Sequence, residues 1–192
     1  WILFYGFDTV LADPLSVLRV WQGGMSFPGG LIGVLIAISF FAHRRGRNIP
    51  DVFDFTAPLP AIGLGAGRIG NFINGELWGK PTDAPWGFLV NGQGRHASQL
   101  YEAALEGLVL FLILYWFTAR PRPRLAPSGL FLLCYGVFRF LIEFVRLPDA
   151  DIGYLAFGWL TMGQLLSLPM IVAGLAMLAW AARTRQPSGN YA

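Results

Sequence analysis

The 192-residue chain holds one cysteine and two histidines, and only 13% of its residues are Asp, Glu, Lys or Arg, where about 25% is ordinary for a soluble domain. A single thiol excludes an intrachain disulfide. Cys134, inside an apolar run, reads as a packed side chain and does not fix a redox compartment. No His, Cys and carboxylate cluster has the spacing of a metal site, so neither a metal nor another cofactor is expected. No low-complexity tract, heptad run or internal repeat is present, which favours one helical domain over residues 1–192. The chain starts at Trp1, already in an apolar stretch, without an initiator methionine or a preceding signal peptide, so the expectation is a chain that lacks an amino-terminal portion.

What fills the sequence is apolar: 55% of residues are hydrophobic and the mean hydropathy is +0.52, the composition of a membrane protein. The formal charge of +3 raises the question of nucleic acid. The arginines, however, fall in short clusters between apolar runs, at His43 to Arg47, Arg120 to Arg124 and Arg183 to Arg185. That is the pattern of topology signals, and the positive-inside rule puts all three on the cytoplasmic side.

Runs of the ~20 residues that a spanning helix needs predict four complete spans plus the end of an earlier one. Trp1 to Phe7 is the end of that earlier helix, and Asp8 to Trp21 an external connection. The complete spans are Ser26 to Ala42, Ser98 to Ala119, Gly129 to Val145 and Gly158 to Ala182. Asp51 to Ile73 also returns across the membrane, but Pro58, Pro60, Gly63, Gly65, Gly67 and Gly70 make it a broken helix, of the kind tolerated where it lines a cavity. Residues 74–97 are polar and rich in Gly and Pro, a periplasmic loop or small head, and Leu147 to Phe157 is external with Asp149 and Asp151.

Against this background the run Gly67-Arg68-Ile69-Gly70-Asn71-Phe72-Ile73-Asn74-Gly75-Glu76-Leu77-Trp78-Gly79 stands out. It places an arginine, two asparagines and a glutamate at the end of an apolar stretch. A cation at that depth costs roughly 2.5–3.5 kcal/mol, which suggests a site for something anionic. Gly65 to Gly70 fits G-x-G-x-x-G, but no strand precedes it, so a dinucleotide site is rejected and close helix packing or close approach to a ligand is the better use of its glycines. Gly29 and Gly33 form a small-xxx-small surface expected to pack.

A second constellation lies in Gly129 to Val145. Tyr135, Arg139, Glu143 and Arg146 are expected on one helix face, either as an intramembrane ion pair that only holds helices together or as part of a site. Arg68 and Arg139 fall at matching depths in the outer half of their helices, and two guanidinium forks there suit bidentate contact with phosphate oxygens. Glu102 and Glu106 share a helix face. A structural role is assigned to Glu106, and Glu102 is left open. His43 is solvated among arginines, whereas His96 is the histidine on the same side as the site, with helix capping or a surface hydrogen bond as its plain alternative.

The Gly67 to Gly79 run resembles the signature of bacterial prolipoprotein diacylglyceryl transferases, and the similarity extends through Trp21 to Phe27, Arg95 to Glu102, Tyr135 to Asp149 and Met162 to Val172. The resemblance implies an integral protein of the bacterial inner membrane. Its implied reaction moves a diacylglyceryl group from phosphatidylglycerol to the lipobox cysteine thiol of a prolipoprotein, with glycerol phosphate released on the periplasmic side. On that reading the nucleophile belongs to the substrate, and Arg68 and Arg139 clamp the phosphate. The resemblance further implies that Asn71, Glu76 and Gly79 belong to the functional motif: Asn71 bonds the head group, Glu76 orients an arginine or the glycerol hydroxyls, and Gly79 permits a turn. Glu143 would orient Arg139, and Arg146 would make a second contact or a gate.

One departure bears on the chemistry. Where the family usually reads GGMSFHGG, this chain has Gly23-Gly24-Met25-Ser26-Phe27-Pro28-Gly29-Gly30, so a histidine often proposed as the base is replaced by Pro28, a residue suited to the first turn of a helix. Either His96 or a carboxylate substitutes, or the arginine field alone lowers the thiol pKa, or the chain is an impaired relative that binds phospholipid without catalysis. A transporter, the third class, is disfavoured because no repeat and no second broken segment is present.

Overall fold

The computed structural model describes residues 27–148 and 153–184. The expectations for Trp1 to Phe7, Asp8 to Trp21, Asp149, Asp151 and Arg185 fall outside them. The chain divides into two compact units, Trp1–Val52 and Phe53–Ala192.

The first unit contributes helix α1, Phe27–Arg44. It starts one residue before Pro28, so the proline sits in the first turn, where its missing N–H removes no helical bond. A Cβ built on Gly33 meets nothing within 4 Å among the described residues, and its neighbours Leu31, Ile32, Val34 and Leu35 are exposed.

Helix α2, Ile49–Thr56, runs across the division, and α3, Leu59–Ile73, follows it in the second unit. The break expected in Asp51 to Ile73 falls at Ala57-Pro58, where Pro58 precedes α3 and Pro60 occupies its first turn. A proline in mid-helix would lose a hydrogen bond and clash with the preceding turn, so the chain stops and restarts instead. A two-stranded antiparallel hairpin follows, β1 Phe88–Val90 and β2 Gln93–Arg95. Asn91 and Gly92, with φ of 53° and 78°, form its two-residue turn. Helix α4, Ser98–Thr118, is continuous but winds wider over Ala103–Val109, a π segment. Helices α5, Ala126–Ile142, and α6, Met162–Thr184, complete the described residues.

Two close approaches set the packing of this unit. Helices α3 and α4 cross at Gly65 and Gly107, where a Cβ on Gly107 would lie 2.6 Å from Gly65 Cα. Helices α5 and α6 meet along Gly129, Gly136 and Gly174, and a Cβ on Gly174 would lie 2.6 Å from the Leu133 backbone nitrogen. Small residues let helix backbones touch, the mode of association that works in lipid where apolar burial supplies no driving force. Among the described residues Gly65 alone of the α3 glycines serves this purpose, since a Cβ on Gly63, Gly67 or Gly70 meets none of them within 4 Å.

The distribution of polarity is inverted relative to a soluble domain. Ser98, Gln99, Glu102, Glu106, Glu143, Gln164 and Ser167 are buried, while Leu108, Leu112, Trp116, Leu166, Val172 and Leu175 are exposed on the same helices. An apolar exterior around a charged interior is what a lipid solvent demands. Two helices, Ser98–Thr118 and Met162–Thr184, are long and apolar enough to cross a membrane, and Gly29–Arg44 and Ala126–Ile142 are shorter apolar helices. The protein is a helical membrane protein.

Candidate active site

The end of α3 is closed by backbone hydrogen bonds that also shape the motif after it. The Glu76 N–H donates to Asn71 O at 2.9 Å and the Gly75 N–H to Phe72 O at 3.1 Å, with Gly75 at φ 70°. This is the Schellman pattern, and its left-handed position explains the glycine. The segment that follows is tied to the first turn of α4: Gln99 Nε2 donates to Glu76 O, and Ser98 Oγ donates to Leu77 O at 2.9 Å. Phe72, Trp78 and Phe88 pack edge to face or tilted at 5.4–5.8 Å, holding the hairpin against the end of α3.

Gly79 has a different function from the expected turn. Its N–H donates to His96 O at 2.8 Å, and a Cβ would lie 2.6 Å from Val145 O and 2.9 Å from His96 Cβ. A glycine is required here by close approach of three backbones. Lys80 continues the contact, with its N–H on Val145 O and its Nζ on Phe144 O, both at 2.8 Å. The motif of α3 is thereby pinned to the end of α5.

On the buried side of α3 and α4 the arginines converge. Arg68 Nε lies 2.7 Å from Glu102 Oε2, and Arg139 Nη1 lies 3.1 Å from the same oxygen. Arg139 Nη1 is also 3.9 Å from Glu106 Oε1, and its Nη2 is 2.6 Å from Glu143 Oε1. Arg146 Nη1 reaches that Glu143 oxygen at 3.3 Å. Three guanidiniums and three carboxylates therefore form one chain of contacts, with Arg139 at its centre and Glu102 as the link from it to Arg68. The expectation for Glu106 and Glu102 is thus reordered: Glu102, which sequence reasoning left open, links the two arginines, and Glu106 lies beside Arg139. No local signal marks Glu102 for this role, because its partners lie 34 and 37 residues away.

The cluster is only partly satisfied. The side chains of Glu102 and Glu106 are 0% exposed, yet Glu102 Oε1 and both oxygens of Glu106 lack a hydrogen-bond partner among the described residues. Arg68 and Arg139 retain side-chain exposures of 19% and 14%. The contact from Arg68 is made through Nε.

Two further expectations are corrected. Among the described residues Glu76 has no arginine partner: it is exposed, and the carboxylates at Arg68 and Arg139 are Glu102, Glu106 and Glu143. Arg146 does not project from the helix that carries Arg139, because α5 ends at Ile142 and Glu143 is its cap; it reaches Glu143 from the turn beyond. Tyr135 stays on α5, stacked on Phe131 at 5.9 Å. His96 pairs with Tyr101, Nδ1 to Oη at 3.3 Å, and takes no part in the arginine contacts. Asn71 lies one turn beyond Arg68 on α3.

The three arginines and three carboxylates cancel in formal charge, and the partly exposed Arg68 and Arg139 are the groups of this buried cluster that can meet an anion and stabilise charge that develops on it. Comparison with known proteins agrees in kind. A family model described as prolipoprotein diacylglyceryl transferase matches residues 1–180. Relatives named phosphatidylglycerol–prolipoprotein diacylglyceryl transferase include one from Azotobacter vinelandii, 60% identical over 187 residues, covering 95% of this chain and 71% of the relative. Another, from Methylococcus capsulatus, is 63% identical over 180 residues, covering 92% of this chain and 69% of the relative. A third, from Pseudomonas aeruginosa strain LESB58, is 57% identical over 186 residues, with 95% and 70% covered. With the match running through nearly all of its length, the chain belongs to the prolipoprotein diacylglyceryl transferase family.

Proposed function

We propose that the chain transfers a diacylglyceryl group from phosphatidylglycerol to the lipobox cysteine thiol of prolipoproteins, and that the reaction takes place at the Arg68–Glu102–Arg139 cluster. The observation that carries the location is the meeting of two partly exposed guanidiniums, Arg68 and Arg139, at one Glu102 oxygen. Two guanidiniums held by a common carboxylate are preorganised for the oxygens of one phosphate.

In the transfer, the thiolate sulfur attacks the glyceryl carbon, a C–S bond forms, and the C–O bond to phosphate breaks. The electron pair leaves on the phosphate ester oxygen, where Arg68 and Arg139 offset the growing charge. Glu143 orients Arg139, Arg146 braces Glu143, and Asn71 faces the head group from the next turn of α3. Gly79 and the Glu76 backbone hold the motif in place. A free thiol, with its pKa of about 8.5, needs a base or a positive field to react quickly. His96 or a cluster carboxylate is the candidate base in a chain with Pro28 at the usual histidine position.

The same reading places the protein in the bacterial inner membrane as a multi-pass chain of four complete spans, with residues 74–97 as a periplasmic head and the site facing the periplasm. The three arginine clusters support this orientation, since the positive-inside rule puts them all on the cytoplasmic side. No cofactor and no nucleic acid enter the scheme. Its test is to mix the purified protein with phosphatidylglycerol vesicles and a lipobox peptide and to look for the thioether product by mass. Product is the expected result. Binding of phosphatidylglycerol without product would favour the second reading, a non-catalytic phospholipid-binding relative, for which Pro28 is the specific support. Pro28→His is expected to raise turnover if that position supplies the base. No gain there, together with a large loss on His96→Ala, would assign the base to His96.

A further inference from the structure

The residue that leads into α6 reaches the arginine cluster from an element not yet assigned to it. Thr161 immediately precedes α6 and is almost fully buried. Its Oγ1 accepts the Gln164 N–H at 3.2 Å, and the Gln164 side-chain oxygen accepts the Thr161 N–H at 3.0 Å. This reciprocal pair is a capping box, T-x-x-Q, which satisfies two otherwise orphaned donors at the start of the helix. With its lone pair engaged by Gln164, the Thr161 hydroxyl proton points the other way, and Oγ1 donates to Glu143 Oε2 at 2.8 Å.

The two oxygens of Glu143 are thereby divided. Oε1 serves Arg139 at 2.6 Å and Arg146 at 3.3 Å, and Oε2 is held by Thr161. Gly163 completes the seat: a Cβ there would lie 2.6 Å from the Glu143 carboxyl carbon and from Oε1. The carboxylate rests against the first turn of α6, close to backbone, in a position that any side chain at 163 would occupy.

We propose that Thr161 is a positioning residue of the transfer reaction, which fixes the Glu143 carboxylate through its capping box with Gln164 and so sets the aim of the Arg139 guanidinium. This rests on the assignment of Arg139 to the phosphate clamp. Without the hydroxyl, Oε2 of a nearly fully buried carboxylate loses its donor, and Glu143 turns toward whatever donor remains. Arg139, 2.6 Å away, moves with it.

The experiment compares Thr161→Val, Thr161→Ser and Thr161→Gly with the parent protein in the vesicle and lipobox-peptide assay, and measures binding of soluble glycerol phosphate by calorimetry. Thr161→Val keeps the shape and removes the hydroxyl; kcat is expected to fall by about tenfold or more. Thr161→Ser keeps the hydroxyl, and turnover should stay within about threefold of the parent. If the valine variant does not fold, Thr161→Gly removes the hydroxyl while remaining an acceptable cap and should show the same loss. A helix cap with no further duty would lower stability in the valine protein and leave the kcat of its folded fraction unchanged. That result, or a serine variant as impaired as valine, overturns the proposal. A parent that turns over while valine matches it sinks the positioning role alone. A parent that neither transfers nor binds glycerol phosphate sinks the clamp and this proposal together. A parent that binds without transfer leaves binding to decide: at least tenfold weaker in the valine protein but not in serine supports the proposal, and equal binding overturns it.

Discussion

Two buried carboxylates in the second unit are treated in opposite ways. Asp54 on α2, 2% exposed, receives the Leu125 N–H at 2.6 Å, the Ser128 N–H at 3.1 Å and the Ser128 hydroxyl at 2.6 Å. It acts as the N-terminal cap of α5 from across the fold. Glu102, equally buried, faces two guanidiniums with one oxygen, and its other oxygen has no hydrogen-bond partner among the described residues. A carboxylate that only holds helices together is surrounded by hydrogen bonds, whereas one kept beside spare charge and short of partners is costly to maintain.

The largest expected effect breaks the site half of the contrast. Arg68→Lys keeps the charge and loses the fork, and transfer should fall about 100-fold with folded protein nearly unchanged. Turnover in the vesicle assay together with monodisperse yield in detergent checks it, and undiminished turnover would remove Arg68 from the clamp. Next in size, Asp54→Ala leaves two backbone donors and a hydroxyl without their acceptor, at about 1–3 kcal/mol of stability. Thermal unfolding in detergent should register the loss, while kcat per folded molecule stays at the parent value; a matching fall in kcat would join Asp54 to the site. The smallest effects come from α3. Gly65→Ala places a Cβ 3.1 Å from Gly107 Cα, so the helices must part by a few tenths of an ångström and Arg68 shifts from Glu102. Turnover is expected to fall several-fold. Gly67→Ala meets nothing within 4 Å and should be silent in turnover and neutral or slightly favourable in stability. Equal effects at the two positions would show that the crossing does not set the geometry.

The helices were legible because lipid imposes a length and a composition on them. Ser98 to Ala119 and Gly158 to Ala182 coincide closely with α4 and α6, and the prolines of Asp51 to Ile73 mark the break between α2 and α3. Arg68 and Arg139 were legible because a cation inside an apolar run needs a reason. Their shared partner was not. Whether Glu102 or Glu76 meets Arg68 depends on where α3 crosses α4, and that is fixed by Gly65 against Gly107, two glycines with nothing in their neighbourhood to pair them. Other signals were present in the sequence and were passed over: Asn91-Gly92 is a strong hairpin turn, and Thr161-x-x-Gln164 is a capping box ahead of an apolar run. The expected one-face arrangement of Tyr135, Arg139, Glu143 and Arg146 failed at its last member, since helix periodicity says nothing of where a helix stops.

The wide turn in α4 has a consequence for phase. Its fully buried residues Glu102, Glu106, Leu110 and Leu114 recur every fourth position, and in an ordinary helix each such step overshoots a full rotation by about 40°. Three steps would carry the leucines about a third of the way round the cylinder from the acids. The looser winding at Ala103–Val109 absorbs the surplus, so acids and leucines share one seam along a helix that would otherwise spiral away from its neighbours. Removing one residue from that interval would bring Glu102 and Leu114 to eleven positions apart, about three full turns of an ordinary helix, so the shorter α4 would keep acids and leucines on one seam without the wide turn.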